Sequence, residues 1–149
     1  MGVEIGEVFV HRNIANMVFE DDENAKAVIQ YAVEVLNVKH IVVAGHTGCG
    51  GIQASLCEKN HGGAMDSWLH KIEKVYIKHQ DFLELIPDEP KRLDEFSRLN
   101  VLEQCQNITK LPCIKKSITA TGFPVIHGWI YNMSNGHLND LAFYAEDGV

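Results

Sequence analysis

Three observations predict an α/β fold with a mainly parallel β-sheet flanked by helices and a C-terminal hairpin. The apolar runs Val8-Phe9-Val10 and Ile41-Val42-Val43-Ala44 are separated by a stretch of helical periodicity, and strand, helix, strand is the order of a crossover unit with parallel strands. Further amphipathic stripes follow in the middle of the chain. Near the end, Asn135-Gly136 lies between two runs rich in apolar and aromatic residues, a strong signal for a hairpin turn.

Each element has a local reason. Val8–Val10 reads as a first strand, ended by His11-Arg12-Asn13. Asp21-Asp22-Glu23 places negative charge where a helix dipole favours it. Ala25, Val28, Ile29, Ala32, Val35 and Leu36 then recur at helical spacing, and Asn37 suits the exit. Lys39 to Ala44 is the second strand and Gly50 to Glu58 a short helix. Trp68, Leu69, Ile72, Val75 and Tyr76 mark a further helix. Pro87 and Pro90 interrupt the chain before Leu93, Phe96, Leu99, Leu102 and Cys105 give another helical stripe. Pro112 breaks it, Ile114 to Thr121 form a last helix stopped by Gly122, and Val125–Tyr131 and Leu138–Tyr144 read as strands.

The 149 residues fit a single domain, residues 1–149. A net charge of −7 argues against a nucleic-acid partner, which needs a positive face. No apolar run approaches the roughly 20 residues of a membrane span. The first residues lack a basic region followed by an apolar stretch, so no signal peptide is read there. The four cysteines, Cys49, Cys57, Cys105 and Cys113, are then expected to be free thiols or metal ligands, in keeping with a cytoplasmic setting.

The chemistry concentrates in His46-Thr47-Gly48-Cys49-Gly50-Gly51, directly after the apolar strand. Histidine and cysteine are the preferred soft donors for Zn2+, and three positions apart on a glycine-rich turn they can aim at one point. Chain reversal alone, with Cys49 a small hydrophobe, is the plain alternative. A phosphate loop fits less well: the glycine spacing is neither G-x-G-x-x-G nor a P-loop, and no Lys-Ser or Lys-Thr follows.

Gly6-Glu7-Val8-Phe9-Val10-His11-Arg12-Asn13-Ile14-Ala15-Asn16, the helix containing Tyr31, Val42 to Gly51, Asn100-Val101 to Pro112 and Ile126-His127-Gly128-Trp129-Ile130-Tyr131 together resemble the β-class carbonic anhydrases, most of all fungal members. The resemblance runs from about residue 2 to residue 144. It implies a zinc site of two cysteines and one histidine, in which His46 and Cys49 match two of the three protein ligands. Gly50 matches the glycine beside the metal. Phe9, Ile14 and Tyr31 match the wall of the carbon dioxide pocket, part of which a neighbouring subunit supplies; ordinary core packing is the alternative for all three. The implied reaction is interconversion of carbon dioxide and bicarbonate. Zinc lowers the pKa of bound water to about 7, and a dry pocket suffices to position a small apolar substrate. The implied assembly is a homodimer or homotetramer.

The family's Cys-x-Asp-x-Arg motif, which holds the first zinc cysteine and the pair that orients bound hydroxide, does not occur in this sequence. Cys57 lies eight residues beyond Cys49, about 12 Å along a helix, too far to share one ion. Two ligands imply weak, exchangeable zinc or an empty site, and impaired activity. A non-catalytic scaffold or regulatory role is the alternative, and hydrolysis of a carbon–sulfur analogue of carbon dioxide a third reading. The resemblance also places the motif's strand between Val8–Val10 and Ile41–Ala44. Without it, either the first strand pairs directly with the second or another chain fills the gap. An upstream presequence, if lost, would make mitochondria the alternative address.

Overall fold

The computed structural model describes residues 2–57 and 62–143. A 3-10 turn at Ile14–Asn16 precedes α1 (Glu23–Glu34), β1 (His40–His46), α2 (Gly50–Ala54), α3 (Gly63–Lys78), α4 (Gln80–Leu83), α5 (Glu89–Thr109), α6 (Pro112–Thr121), β2 (Val125–Tyr131) and β3 (Leu138–Asp140). The strands form one sheet in the order β1-β2-β3. β1 and β2 are parallel, with His40 opposite Val125 and His46 opposite Tyr131. β2 and β3 are antiparallel and joined by the anticipated hairpin. There Gly136 takes a positive φ of 73° and its N–H bonds to the Asn132 carbonyl at 2.9 Å.

Several boundaries follow from local chemistry. Asp22 caps α1 by accepting from the backbone N–H groups of Asn24 and Ala25. Asn37, at φ 54°, turns the chain after it. Asp88 caps α5 through the Lys91 N–H, and Pro90 sits in that helix's first turn, where its missing N–H costs nothing. Pro112 likewise opens α6, and Gly122, at φ 76°, closes it. Pro90 and Pro112, read as breaks, therefore mark helix starts, and Pro87 lies in the connection before α5. The short α4 leaves no distinct periodicity, being a single turn. α2 ends at Ala54, and of the strand expected over Leu138–Tyr144, Leu138–Asp140 is extended and paired; Tyr144 and Glu58 lie outside the described residues.

The strand expected at Val8–Val10 does not form. The segment joins no sheet, and Val8, Phe9 and Val10 are exposed. A strand needs a partner for its backbone groups, and here β1 pairs on one side only, with β2. Direct pairing of this segment with β1 is therefore absent among the described residues, and β1 is a sheet edge.

One face of the sheet makes the core. Val43 of β1 and Ile126 and Ile130 of β2 pack with Val101, Cys105 and Ile108 of α5 and with Val33 and Ile114 of α1 and α6. Close approach of α5 requires glycine on both strands. A Cβ at Gly45 would lie 2.6 Å from Val101 Cγ2, and one at Gly128 would lie 3.1 Å from Val101 Cγ1. α5 also carries Phe96 into a second cluster with Ile52, Leu69, Ile72 and Leu83. The opposite sheet face is open: His40, Val42, Val125 and Tyr131 are exposed on it. Among the described residues no helix is long and apolar enough to cross a membrane.

Candidate metal centre

β1 ends on His46, so the histidine sits on the strand itself, at the C-terminal edge of the parallel pair. Binding sites of open α/β sheets gather at that edge. The turn that follows is held from two sides. The Thr47 N–H donates to the Tyr131 carbonyl at 3.0 Å, and Thr47 Oγ1 accepts from the Met133 N–H at 3.0 Å. The Gly48 N–H donates to Asp94 Oδ1 on α5 at 2.9 Å, which fixes a residue with φ 63° between the two candidate ligands.

His46 Nδ1 lies 2.9 Å from the Thr47 carbonyl oxygen. A carbonyl can only accept, so the proton resides on Nδ1 and the Nε2 lone pair is bare. Fixing one ring nitrogen in this way is how proteins prepare the other for a metal. Cys49 is half-buried and free of any disulfide. It occupies the N-cap position of α2, and its side chain makes no capping hydrogen bond. Both donors therefore keep their lone pairs for an ion.

The remaining expected residues divide. Ile14 comes to the turn, where a Cβ at Gly51 would lie 2.5 Å from Ile14 Cγ2. The Ile14 carbonyl accepts from Trp68 Nε1 at 2.9 Å. Phe9 instead stacks on Tyr31, with ring centroids 5.9 Å apart and planes tilted by 40°. All three side chains are 49% exposed, so core packing does not describe them. A Cβ at Gly50 would meet nothing within 4 Å; Gly51 is the glycine that close packing requires. Two surface clefts of about 640 and 360 Å³ lie elsewhere, against Glu103 and Phe143 and between α1 and α6.

Among the described residues no group of three or more His, Cys, Asp or Glu side chains could hold a metal ion. His46 and Cys49 fit zinc chemically, but they do not complete the three protein ligands of a catalytic site. Cys105 is not a substitute. It is fully buried against the sheet, and desolvation pushes its thiol up to about 12, which disfavours the thiolate form that binds metals. Burial also raises Cys113. Asp94 and Thr47, which hold the turn, carry no signal in the sequence because each acts across a long separation or through a backbone partner.

Fold and turn together define an α/β protein with a His-Cys donor pair at the C-terminal edge of its parallel strands. A family model described as carbonic anhydrase matches residues 1–138, and the chain belongs to the β-class carbonic anhydrase family. It is 45% identical over 141 residues to a carbonic anhydrase of Emericella nidulans, covering 95% of this chain and 61% of that protein. It is 37% identical over 137 residues to one of Candida albicans, covering 91% and 48%. Among solved structures, a tetrameric β-carbonic anhydrase from Sordaria macrospora aligns with a TM-score of 0.89 at 39% identity, over 95% of this chain and 72% of that one. The β-carbonic anhydrase CafA of Aspergillus fumigatus aligns at 0.88 and 35%, over 95% and 66%. The chain thus spans about half to two thirds of the length of these curated relatives.

Proposed function

We propose that this chain binds zinc weakly through His46 and Cys49 and interconverts carbon dioxide and bicarbonate at an impaired rate. The observation that carries this reading is the His46 ring, whose Nδ1 is tied to the Thr47 carbonyl, which leaves Nε2 as the ring's free donor for an ion. Zinc, when bound, supplies hydroxide near neutral pH. The chain's own contribution is to orient the imidazole, to hold the turn rigid through Asp94 and Tyr131, and to present Ile14 as an apolar neighbour. Impairment follows from the two-donor set, since an exchangeable ion spends part of its time in solution. Phe9 and Tyr31 would line a substrate pocket on assembly, their half-exposed rings being covered by a second copy in a homodimer or homotetramer. The likeness to a tetrameric relative supports that assembly.

A second reading, a non-catalytic scaffold or regulatory member, draws on the incomplete metal shell among the described residues. Carbon dioxide hydration measured across a zinc titration separates the two. The enzyme reading requires a rate that rises with zinc and disappears in His46→Ala. A rate equal to buffer at saturating zinc would refute the enzyme reading and leave the scaffold reading standing.

A further inference from the structure

Ile14 reaches the metal turn on a stretch of backbone that is costly to hold. Ala15 and Asn16 both take left-handed φ, 60° and 48°, a region that residues other than glycine rarely adopt. Asn16 also buries its Nδ2 atom with no hydrogen-bond partner among the described residues, where nearly all such atoms find one. Costs of this kind persist only where the surroundings fix the chain, and they gather at functional sites. Here they set Ile14 and Ala15 against α2, just after Cys49. A Cβ at Gly51 would lie 2.5 Å from Ile14 Cγ2 and 3.6 Å from Ala15 Cβ.

Two helices fix this stretch through long-range polar contacts. On α5, Asn100 and Gln104 are 1% and 0% exposed. The Val18 N–H donates to Gln104 Oε1 at 2.9 Å, Gln104 Nε2 donates to Asn100 Oδ1 at 3.1 Å, and Asn100 Nδ2 donates to the Ala15 carbonyl at 2.8 Å. The relay starts and ends on the same short stretch of chain. Its backbone ends fix the orientation of both amides, because an N–H can only donate and a carbonyl only accept. A buried amide is costly unless paired, and a paired network specifies one arrangement. From α3, Trp68 Nε1 donates to the Ile14 carbonyl at 2.9 Å, and its ring meets Phe19 edge-on at 5.1 Å.

We propose that Asn100, Gln104 and Trp68 are positioning residues of the candidate site, holding Ile14 beside the metal turn. Packing alone does not account for the two amides, since apolar side chains of similar size would fill the same core with no polar atoms to satisfy. Ile14 is 49% exposed, so its backbone rather than the core keeps it in place. The consequence for substrate rests on the carbon dioxide pocket proposed above; the positioning itself does not.

The test uses Trp68→Phe, which keeps a ring against Phe19 and removes the indole N–H, and Gln104→Met, which keeps the volume and breaks the relay. The readout is the nuclear Overhauser contact between the Ile14 methyls and the Gly51 α-protons. It is expected to be strong in the unaltered chain and weakened about twofold or more in each folded variant, with the amide signals of residues 46–51 shifted, since groups that orient a site act through its geometry. Leu83→Val loosens the core under α4 without touching residues 13–18, and is expected to lower the melting temperature while keeping the contact. If Gln104→Met does not fold, Trp68→Phe decides alone. In carbon dioxide hydration, Trp68→Phe is expected to raise KM about threefold or more with kcat within about twofold, the pattern of lost substrate binding. An intact Ile14–Gly51 contact in Trp68→Phe overturns the proposal, and so does an equal loss of contact in Leu83→Val, which would make it a general effect of destabilisation. A weakened contact in a chain that hydrates no carbon dioxide supports the positioning role and refutes the proposed activity alone.

Discussion

At the residue scale, the His46–Cys49 turn depends on side chains that never touch an ion. Asp94 accepts the Gly48 N–H at 2.9 Å, and a hydrogen bond to a charged group contributes about 1.5–3 kcal/mol. Asp94→Ala is expected to loosen the turn, lowering zinc affinity about tenfold, in the range usual for groups that orient ligands. Zinc titration against a competing chelator checks this, and unchanged affinity would remove Asp94 from the site. The cysteines give a second residue-scale prediction. Burial holds the Cys105 thiol near 12, so it stays neutral at pH 8, whereas Cys57 is exposed. Alkylation of the native chain at pH 8 is expected to label Cys57 and spare Cys105 until denaturant is added. Glu103 sets an acid limit. Burial raises its carboxyl, but hydrogen bonds and charge from Lys78 and His79 outweigh this and hold it below 4.5. A carboxyl depressed by folding contributes stability above its unfolded pKa, and that contribution fades as pH falls through the folded value. Thermal melts below pH 4.5 are expected to show wild type converging on Glu103→Gln, and parallel curves would contradict the pairing.

At the element scale, the closeness of α5 to the sheet decides stability. Gly45→Ala drives a methyl to within 2.6 Å of Val101 Cγ2 and is expected to cost about 1–3 kcal/mol by overpacking. Gly50→Ala meets nothing within 4 Å and is expected to be neutral or stabilising by up to about 1 kcal/mol. Urea unfolding of both variants checks the contrast, and equal effects would show that α5 yields. This contrast also shows what periodicity conveys and what it does not. The stripes over Leu93–Cys105 and Leu69–Tyr76 announce α5 and α3 because each buries one face. The Asn-Gly turn and the Asp22 cap act within a few residues, so they too are legible. Val8–Val10 has the composition of a strand, yet a strand is a property of two segments, and its partner lies beyond any local pattern. Gly51 rather than Gly50 is the constrained glycine for the same reason: Ile14, the side chain that demands it, lies 37 residues earlier. His46 and Cys49 were recognisable because both donors fall within one turn, whereas Asp94 acts from a separate helix.

At the scale of the whole molecule, apolar side chains are exposed in two places that a second copy would cover. Ile5, Val8, Phe9, Val10 and Ile14 are exposed along one segment, and Val42, Val125 and Tyr131 are exposed on the sheet. Parallel sheets are ordinarily covered on both faces, and contiguous apolar surface marks interaction sites. Light scattering at micromolar concentration is expected to show a dimer or tetramer, with Phe9→Asp shifting the chain toward monomer. Among the described residues β1 is the edge of the sheet, and it ends on His46, one of the two donors of the proposed zinc site. The decisive measurement is the dependence of carbon dioxide hydration on added zinc for this chain. The predicted result is a slow rate that grows with zinc over a wide concentration range, is lost on dialysis against chelator and is absent from His46→Ala. Fast hydration with stoichiometric zinc that survives dialysis, or no rate above buffer at saturating zinc, would contradict it.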